Sequence, residues 1–79
     1  MTREDILQKV NEIFKDAFDR EELTVDYKTT AADIEGWDSL MQMNLIEIIE
    51  DEFEIRFSMN EVVGMENVGA MVDIILARI

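Results

Sequence analysis

The chain has 79 residues, with 19 Asp and Glu against 7 Lys and Arg, which gives a formal net charge of −12. This length leaves room for one small domain, and we expect residues 1–79 to form it. A chain this acidic repels the phosphates of nucleic acids and anionic lipids, so we expect no binding to nucleic acid or membrane and a basic protein surface as partner.

Two missing residue types exclude several chemistries. Without Cys there can be no disulfide, no Cys nucleophile and no thiolate zinc site. Without His the commonest general base and metal ligand is missing, and a Ser-His-Asp triad cannot form. The polar N-terminus lacks the apolar run of a signal peptide, and no apolar stretch approaches the length of a membrane span. We therefore expect a soluble, cytoplasmic, monomeric protein that is not an enzyme and holds no metal.

The first predicted helix covers Arg3–Phe18, where apolar residues recur at helical spacing. Thr2 and Asp5 form a capping-box pattern at its start. The periodicity is lost over residues 19–37, and a connection of this length normally marks a functional loop or one that packs on itself. Gly36, near the end of this loop, suits a backbone position with positive φ.

The second predicted helix begins at Asp38 or Ser39 and continues to about Phe53. Its apolar side chains form a broad face, as expected for a helix that packs against a core. Ile55 and Phe57 then lie in an extended connection.

Two more helices complete the predicted chain. Ser58 and Glu61 form a second capping-box pattern, which predicts a short helix that ends at Gly64. Asn67 is a plausible cap for a final helix whose apolar residues repeat on one side as far as Ile79. The predicted fold is all-α, a small four-helix bundle of three main helices plus one short helix, with a long first loop.

The most informative segment is Gly-Trp-Asp-Ser-Leu at residues 36–40, where the long loop meets the second helix. Taken by itself it fits an ordinary helix start, since Asp38 and Ser39 are both good caps and Ser39 with Gln42 forms a capping-box pattern. The functional alternative is a phosphate ester on Ser39, because the positive end of the helix dipole stabilises an anion there. Asp38 could then hold a divalent cation or orient the modifying enzyme. Both interpretations can hold together.

Asp38-Ser39-Leu40 resembles the site at which the acyl carrier protein family attaches 4′-phosphopantetheine, and Gly36 matches a glycine often found two residues earlier. The similarity extends over nearly the whole chain, including its length, its acidity, the long first loop and the order of the helices. It continues after the motif through these residues: Leu45, Ile49, Glu50, Asp51, Glu52, Phe53 and Phe57.

The resemblance implies a carrier and not a catalyst. A phosphopantetheinyl transferase, assisted by magnesium, would move the group from coenzyme A to Ser39, with Asp38 and Leu40 in the same site. The terminal thiol of the group would carry an acyl group as a thioester between partner enzymes. This would explain how a chain without Cys can act as a thiol carrier.

Residues 39–55 contain five acids and no base. The plain interpretation is a solvated helix face. The resemblance implies instead that Glu47, Glu50 and Asp51 meet basic docking patches on acyl-loading and acyl-processing enzymes. Such charge complementarity speeds encounter while affinity stays modest, which suits a shuttle.

Met41 and Asn44 depart from the family pattern, because housekeeping fatty-acid carriers usually have acids at these places. We expect both residues to contact partners, with a more apolar and less ionic character than in those carriers. With Trp37, they favour a specialised carrier, linked to secondary metabolites or surface polysaccharides, over one of fatty-acid biosynthesis and general lipid metabolism.

A third expectation concerns an interior cavity that would shelter the acyl chain, with ordinary core packing as the alternative. By family position, these residues would line it: Leu45, Ile49, Phe57, Val62, Met65, Val68 and Met71. Flexible Met side chains would suit such an adaptable interior.

Three other functions compete with the acyl carrier. An EF-hand-like calcium site fails because Gly36 at the sixth loop position puts Ala31 first and Gln42 twelfth, where acids are required. An acidic helical adaptor without a cofactor explains the charge and the fold but not the motif around Ser39. An aminoacyl or peptidyl carrier would share both the arm and the fold, although the strong acidity favours an acyl carrier.

Overall fold

The computed structural model describes residues 1–79 as an all-α protein, which confirms the predicted fold class. Its elements are α1 (Arg3–Phe18), a short 3₁₀ helix (Ala31–Asp33), α2 (Ser39–Phe53), α3 (Met59–Val63) and α4 (Val68–Arg78). No helix combines the length and the apolar character needed to cross a membrane. The cytoplasmic location and the monomeric state stay predictions.

Side-chain caps begin the helices where the sequence predicted them. Thr2 and Asp5 form the capping box of α1, Ser58 and Glu61 form that of α3, and the Asn67 side chain caps α4. The backbone N–H of Thr2 lowers the pKa of the Asp5 carboxyl, and that of Ser58 lowers the pKa of Glu61. Both boxes are therefore complete above the ordinary pKa of these acids and are lost as acidification protonates them.

The core lies where α1 packs against both α2 and α4. Its fully buried side chains include Phe14 from α1, Leu45 and Ile49 from α2, and Met71 and Ile75 from α4. Burial of such apolar surface is the main force that stabilises so small a bundle. α3, by contrast, contributes no buried residue. This short helix is fastened from outside the core, because Arg78 donates hydrogen bonds to the Glu61 carboxylate and to the Arg56 carbonyl.

The long first loop is packed on the bundle, as its length suggested. Asn11 of α1 binds both polar groups of the Val25 backbone, accepting from its N–H at 2.7 Å and donating to its carbonyl at 3.0 Å. At the start of α4 the Gly69 amide donates to the Tyr27 carbonyl at 2.8 Å. A Cβ at position 69 would lie only 2.7 Å from that carbonyl oxygen, so this approach requires glycine.

The end of the loop holds one confirmed and one missed feature. Gly36 has φ of +92°, the positive value that the sequence led us to expect. The 3₁₀ helix was not predicted, because three residues are too few to show a period. A capping-box pattern was nevertheless visible in the sequence, and the Asp33 carboxylate does accept from the Thr30 amide at 2.9 Å.

Candidate functional site

Ser39 is the first residue of α2, and its side chain is exposed. Asp38, the residue before it, is the cap: its carboxylate accepts from the Met41 amide at 2.9 Å, and its carbonyl accepts from the Gln42 amide at 2.9 Å. The capping box suggested by Ser39 and Gln42 is therefore wrong, because Asp38 occupies the capping position. The Ser39 hydroxyl makes no hydrogen bond within the protein and is exposed to solvent.

The backbone around Ser39 favours an anion. The amides of Ser39 and Leu40 have no acceptor within the protein, as expected for the first turn of a helix. This turn carries no acidic side chain, so the cap residue Asp38 supplies the one carboxylate that would compete with an anion for the positive end of the helix dipole. A phosphodiester on the Ser39 oxygen would lie beside these two donors, so the site fits phosphopantetheine. No group of three or more carboxylates in the structure could hold a metal ion.

Trp37 anchors the loop directly before the site. Its ring meets Phe14 of the core edge-on, with ring centroids 5.1 Å apart and an interplanar angle of 84°. Its indole N–H donates to the Gln42 side-chain oxygen at 2.6 Å, and the Gln42 amide nitrogen lies 3.7 Å from the Met65 sulfur. This linkage was not predicted from the sequence. One feature of the sequence could have indicated it. A half-buried indole N–H requires an acceptor, and Gln42 in the first turn of α2 can supply one.

Ser39 opens onto a cleft of about 500 Å³ that is lined mainly by apolar side chains from α2, α3 and the segments next to them. Two of the residues expected around an acyl cavity, Val62 and Met65, line this cleft. Four others, Leu45, Ile49, Val68 and Met71, are 0% exposed and belong to the packed core. Phe57 is half-buried against that core. The expected set is thus divided between a surface cleft and the protein interior.

A second recess, of about 510 Å³, lies next to the cleft at the α2 N-terminus, and Asp38 and Met43 line both. It brings together Leu40, Met41, Asn44 and Glu47, all of which the sequence placed in the attachment site or the partner face. Leu40 is 81% exposed although it is a large apolar residue. Met43, which is 49% exposed, also lines this recess, so exposed apolar side chains lie next to the Ser39 hydroxyl.

The remaining two acids predicted for the partner face differ from each other. The Glu50 side chain is only 14% exposed; its carboxylate accepts from the Phe57 amide at 2.9 Å and lies 3.6 Å from Arg56. Glu50 thus holds the connection between α2 and α3, which leaves its charge less available to a partner than the sequence suggested. Asp51 is exposed and forms no ion pair, as is also true of Glu47.

Comparisons with known proteins agree with this geometry. Residues 8–75 match the family model described as phosphopantetheine attachment site, a range that includes Ser39 and all of α2 and α3. The fold is similar to the solution structure of a holo acyl carrier protein from Geobacter metallireducens, with a TM-score of 0.88 and 34% sequence identity. That alignment covers 92% of this chain and 84% of the other. No curated protein matches the sequence significantly.

The different contributions of Asp38 and Ser39 to stability can be measured by unfolding the unmodified protein. Asp38→Ala removes the cap of α2 and should lower the free energy of unfolding by about 1 kcal/mol. Ser39→Ala removes no hydrogen bond and should change it by less than about 0.5 kcal/mol. Asp38→Asn, which keeps a capping oxygen, is the control and should stay close to wild type. Urea titration followed by circular dichroism gives these values, and an equal loss in the two Ala variants would contradict the assignment.

Proposed function

This chain belongs to the acyl carrier protein family, whose members carry a covalent phosphopantetheine group, and we propose that Ser39 is the residue that holds it. Residues 1–79 would then form a single carrier domain that delivers acyl groups to other enzymes and catalyses no reaction itself. The observation that carries this proposal is the exposed, unbonded Ser39 hydroxyl at the N-terminus of α2. The hydroxyl lies within the range that matches the family model.

When attached, the group supplies a terminal thiol that can bind an acyl group as a thioester, a function that no side chain of this Cys-free protein can provide. The contribution of the chain is to present the Ser39 oxygen. On loading, this oxygen would form a bond to the phosphorus of coenzyme A next to the pantetheine while the pyrophosphate P–O bond breaks. Its proton would pass to the transferase or to solvent, and adenosine 3′,5′-bisphosphate would leave. The Asp38 cap would hold the helix end in place during this step, and the free amides of Ser39 and Leu40 would be available to the phosphodiester.

Partners would approach along the exposed side of α2. Leu40 and the recess formed with Met41, Asn44 and Glu47 border the attachment site, so an enzyme that reaches the arm also reaches these residues. Glu47 and Asp51 are four residues apart and lie on the same side of the helix. Their unpaired charges suit basic patches on the transferase and on acyl-loading and acyl-processing enzymes. Because both acids are exposed, each contact would speed association and orient the partner more than it would raise affinity.

The attachment site can be tested by intact-mass measurement. After incubation with coenzyme A, magnesium and a broad-specificity phosphopantetheinyl transferase, the wild-type protein should gain one phosphopantetheine. Ser39→Ala should gain none. Ser58→Ala is a matched control, because Ser58 is the only other serine and also lies at a helix start, and it should be modified like wild type. A wild type that never gains mass would favour the cofactor-free adaptor, whereas a modified Ser39→Ala would move the site elsewhere.

The contribution of Glu47 and Asp51 to partner encounter can be separated from the effect of the total charge. Glu47→Gln with Asp51→Asn should lower kcat/KM for loading by the transferase about fivefold at low salt, corresponding to about 1 kcal/mol. The difference should largely disappear near 1 M salt, where the screening length falls to about 3 Å. Glu12→Gln with Asp16→Asn on α1 removes the same charge at the same spacing and is the control. Equal slowing by both pairs would show that only net charge matters.

For the pathway, we propose a specialised one, linked to secondary metabolites or polysaccharides, in place of general fatty-acid biosynthesis. The support is the uncharged character of Met41 and Asn44, which border the attachment site in the recess with Leu40. A fatty-acid enzyme whose basic docking patch pairs with acids at these positions would make fewer ionic contacts with this carrier.

This proposal predicts poor loading of the phosphopantetheine-bearing protein by the acyl transferase of a fatty-acid synthase and efficient loading by a dedicated acyl ligase. Met41→Asp with Asn44→Asp restores acids next to Ser39 and should raise the transferase rate several-fold. Gln8→Asp with Thr24→Asp adds the same two charges at exposed positions that do not line the recess, and it serves as the charge control. Efficient loading of the wild type by the fatty-acid transferase would overturn the pathway proposal and leave the carrier function intact.

A further inference from the structure

Three linked side chains separate the cleft beside Ser39 from the hydrophobic core. Trp37, Gln42 and Met65 all line the cleft, and Trp37 and Met65 also pack against the core. Gln42 joins them, because its side-chain oxygen accepts from the Trp37 indole at 2.6 Å and its amide nitrogen lies 3.7 Å from the Met65 sulfur. These three residues, the Trp37–Gln42–Met65 wall, form a boundary between cleft and core.

Gln42 is the polar member of this wall and stands at the open end of an apolar row. Leu45, Ile46 and Ile49 follow it along the inner side of α2 and are all buried, with at most 4% exposure. Helical spacing places Gln42 in line with them, at the point where this row reaches the cleft. An apolar residue there would extend the row to the surface, whereas Gln42 interrupts it with an amide.

Displacement of this amide would be costly. A chain that moved from the cleft into the core would have to separate Gln42 from Trp37 and leave the indole N–H and the amide without partners in apolar surroundings. Behind the wall, Leu45, Ile49 and Met71 are 0% exposed and fill the space. The cleft itself is open and apolar, with Met43, Met59 and Val63 exposed around it.

We propose that Gln42 is a specificity-determining residue, which confines the acyl cargo to the surface cleft and keeps it out of the helix bundle. The proposal rests on attachment at Ser39: because Ser39 is itself part of the cleft lining, a cargo tethered there begins at the cleft edge. The cleft then shelters short acyl groups, and the additional carbons of longer ones remain in solvent, available to partner enzymes.

The test compares proteins that carry straight-chain acyl groups from butanoyl to hexadecanoyl, attached from the corresponding acyl-coenzyme A by a broad-specificity transferase. In wild type, Tm should rise over the shortest members and then level off, and the Trp37 emission should stop changing at the same chain length. In Gln42→Ala, Tm should continue to rise and exceed wild type by about 4 °C or more with the longest group, relative to each unacylated protein. Gln8→Ala, an exposed Gln on α1, is the control and should behave like wild type.

A second variant keeps the test decisive if Gln42→Ala folds poorly. Trp37→Phe retains a ring against Phe14 but removes the hydrogen-bond donor, so its Tm should also continue to rise with chain length. A wild-type Tm that rises without levelling, or variants that level off as wild type does, would overturn the role of Gln42. Intact mass separates this from a failure of the proposed function, since a wild type that gains no acyl-phosphopantetheine would refute attachment and this proposal together.

Discussion

The geometry of the site depends on one hydrogen-bonded cap, from the Met41 amide to the Asp38 carboxylate. A helix that begins at Ser39 needs an acceptor for its first amides, and in many helices the serine hydroxyl would itself serve. Because Asp38 takes this role, the Ser39 hydroxyl remains unbonded, exposed and next to two free amides. Asp38 therefore stabilises the start of α2, and Ser39 keeps an accessible hydroxyl. The accessible hydroxyl does not cost the helix its cap.

The position of that helix end depends in turn on how the long loop is fastened. Asn11 holds the loop at Val25, Gly69 permits its close approach to α4, and Trp37 ties its last residues to Phe14. Each contact joins parts of the chain that are distant in sequence, so the loop is an ordered support and not a tether. The bundle side of the site is therefore fastened to the core by several contacts, whereas α3 on the opposite side of the cleft has no buried residue and is held by Arg78.

The acids of α2 serve two different purposes that their pattern does not distinguish. Glu50 is one residue from Asp51 in sequence, yet its carboxylate turns back to the Phe57 amide and is mostly covered. Glu47 and Asp51 point to solvent with unpaired charge. Acids that look like one continuous surface in the sequence therefore divide into Glu50, which supports the α2–α3 connection, and Glu47 and Asp51, which are free on the surface. The cavity residues divide in the same way, with Val62 and Met65 on the cleft and Leu45 and Met71 in the core.

The sequence by itself determined the helix positions, three of the side-chain caps, the positive φ of Gly36 and the family motif at Ser39. These features depend on periodicity and on residues at most a few positions apart, so they are visible along the chain. Only the tertiary structure decided that Asp38 is the cap, that Glu50 is held inward, and that Gln42 links Trp37 to Met65. The last two contacts depend on where separate segments meet in space. The cap depends on which of two adjacent acceptors lies outside the first helical turn, and local pattern is the same for both.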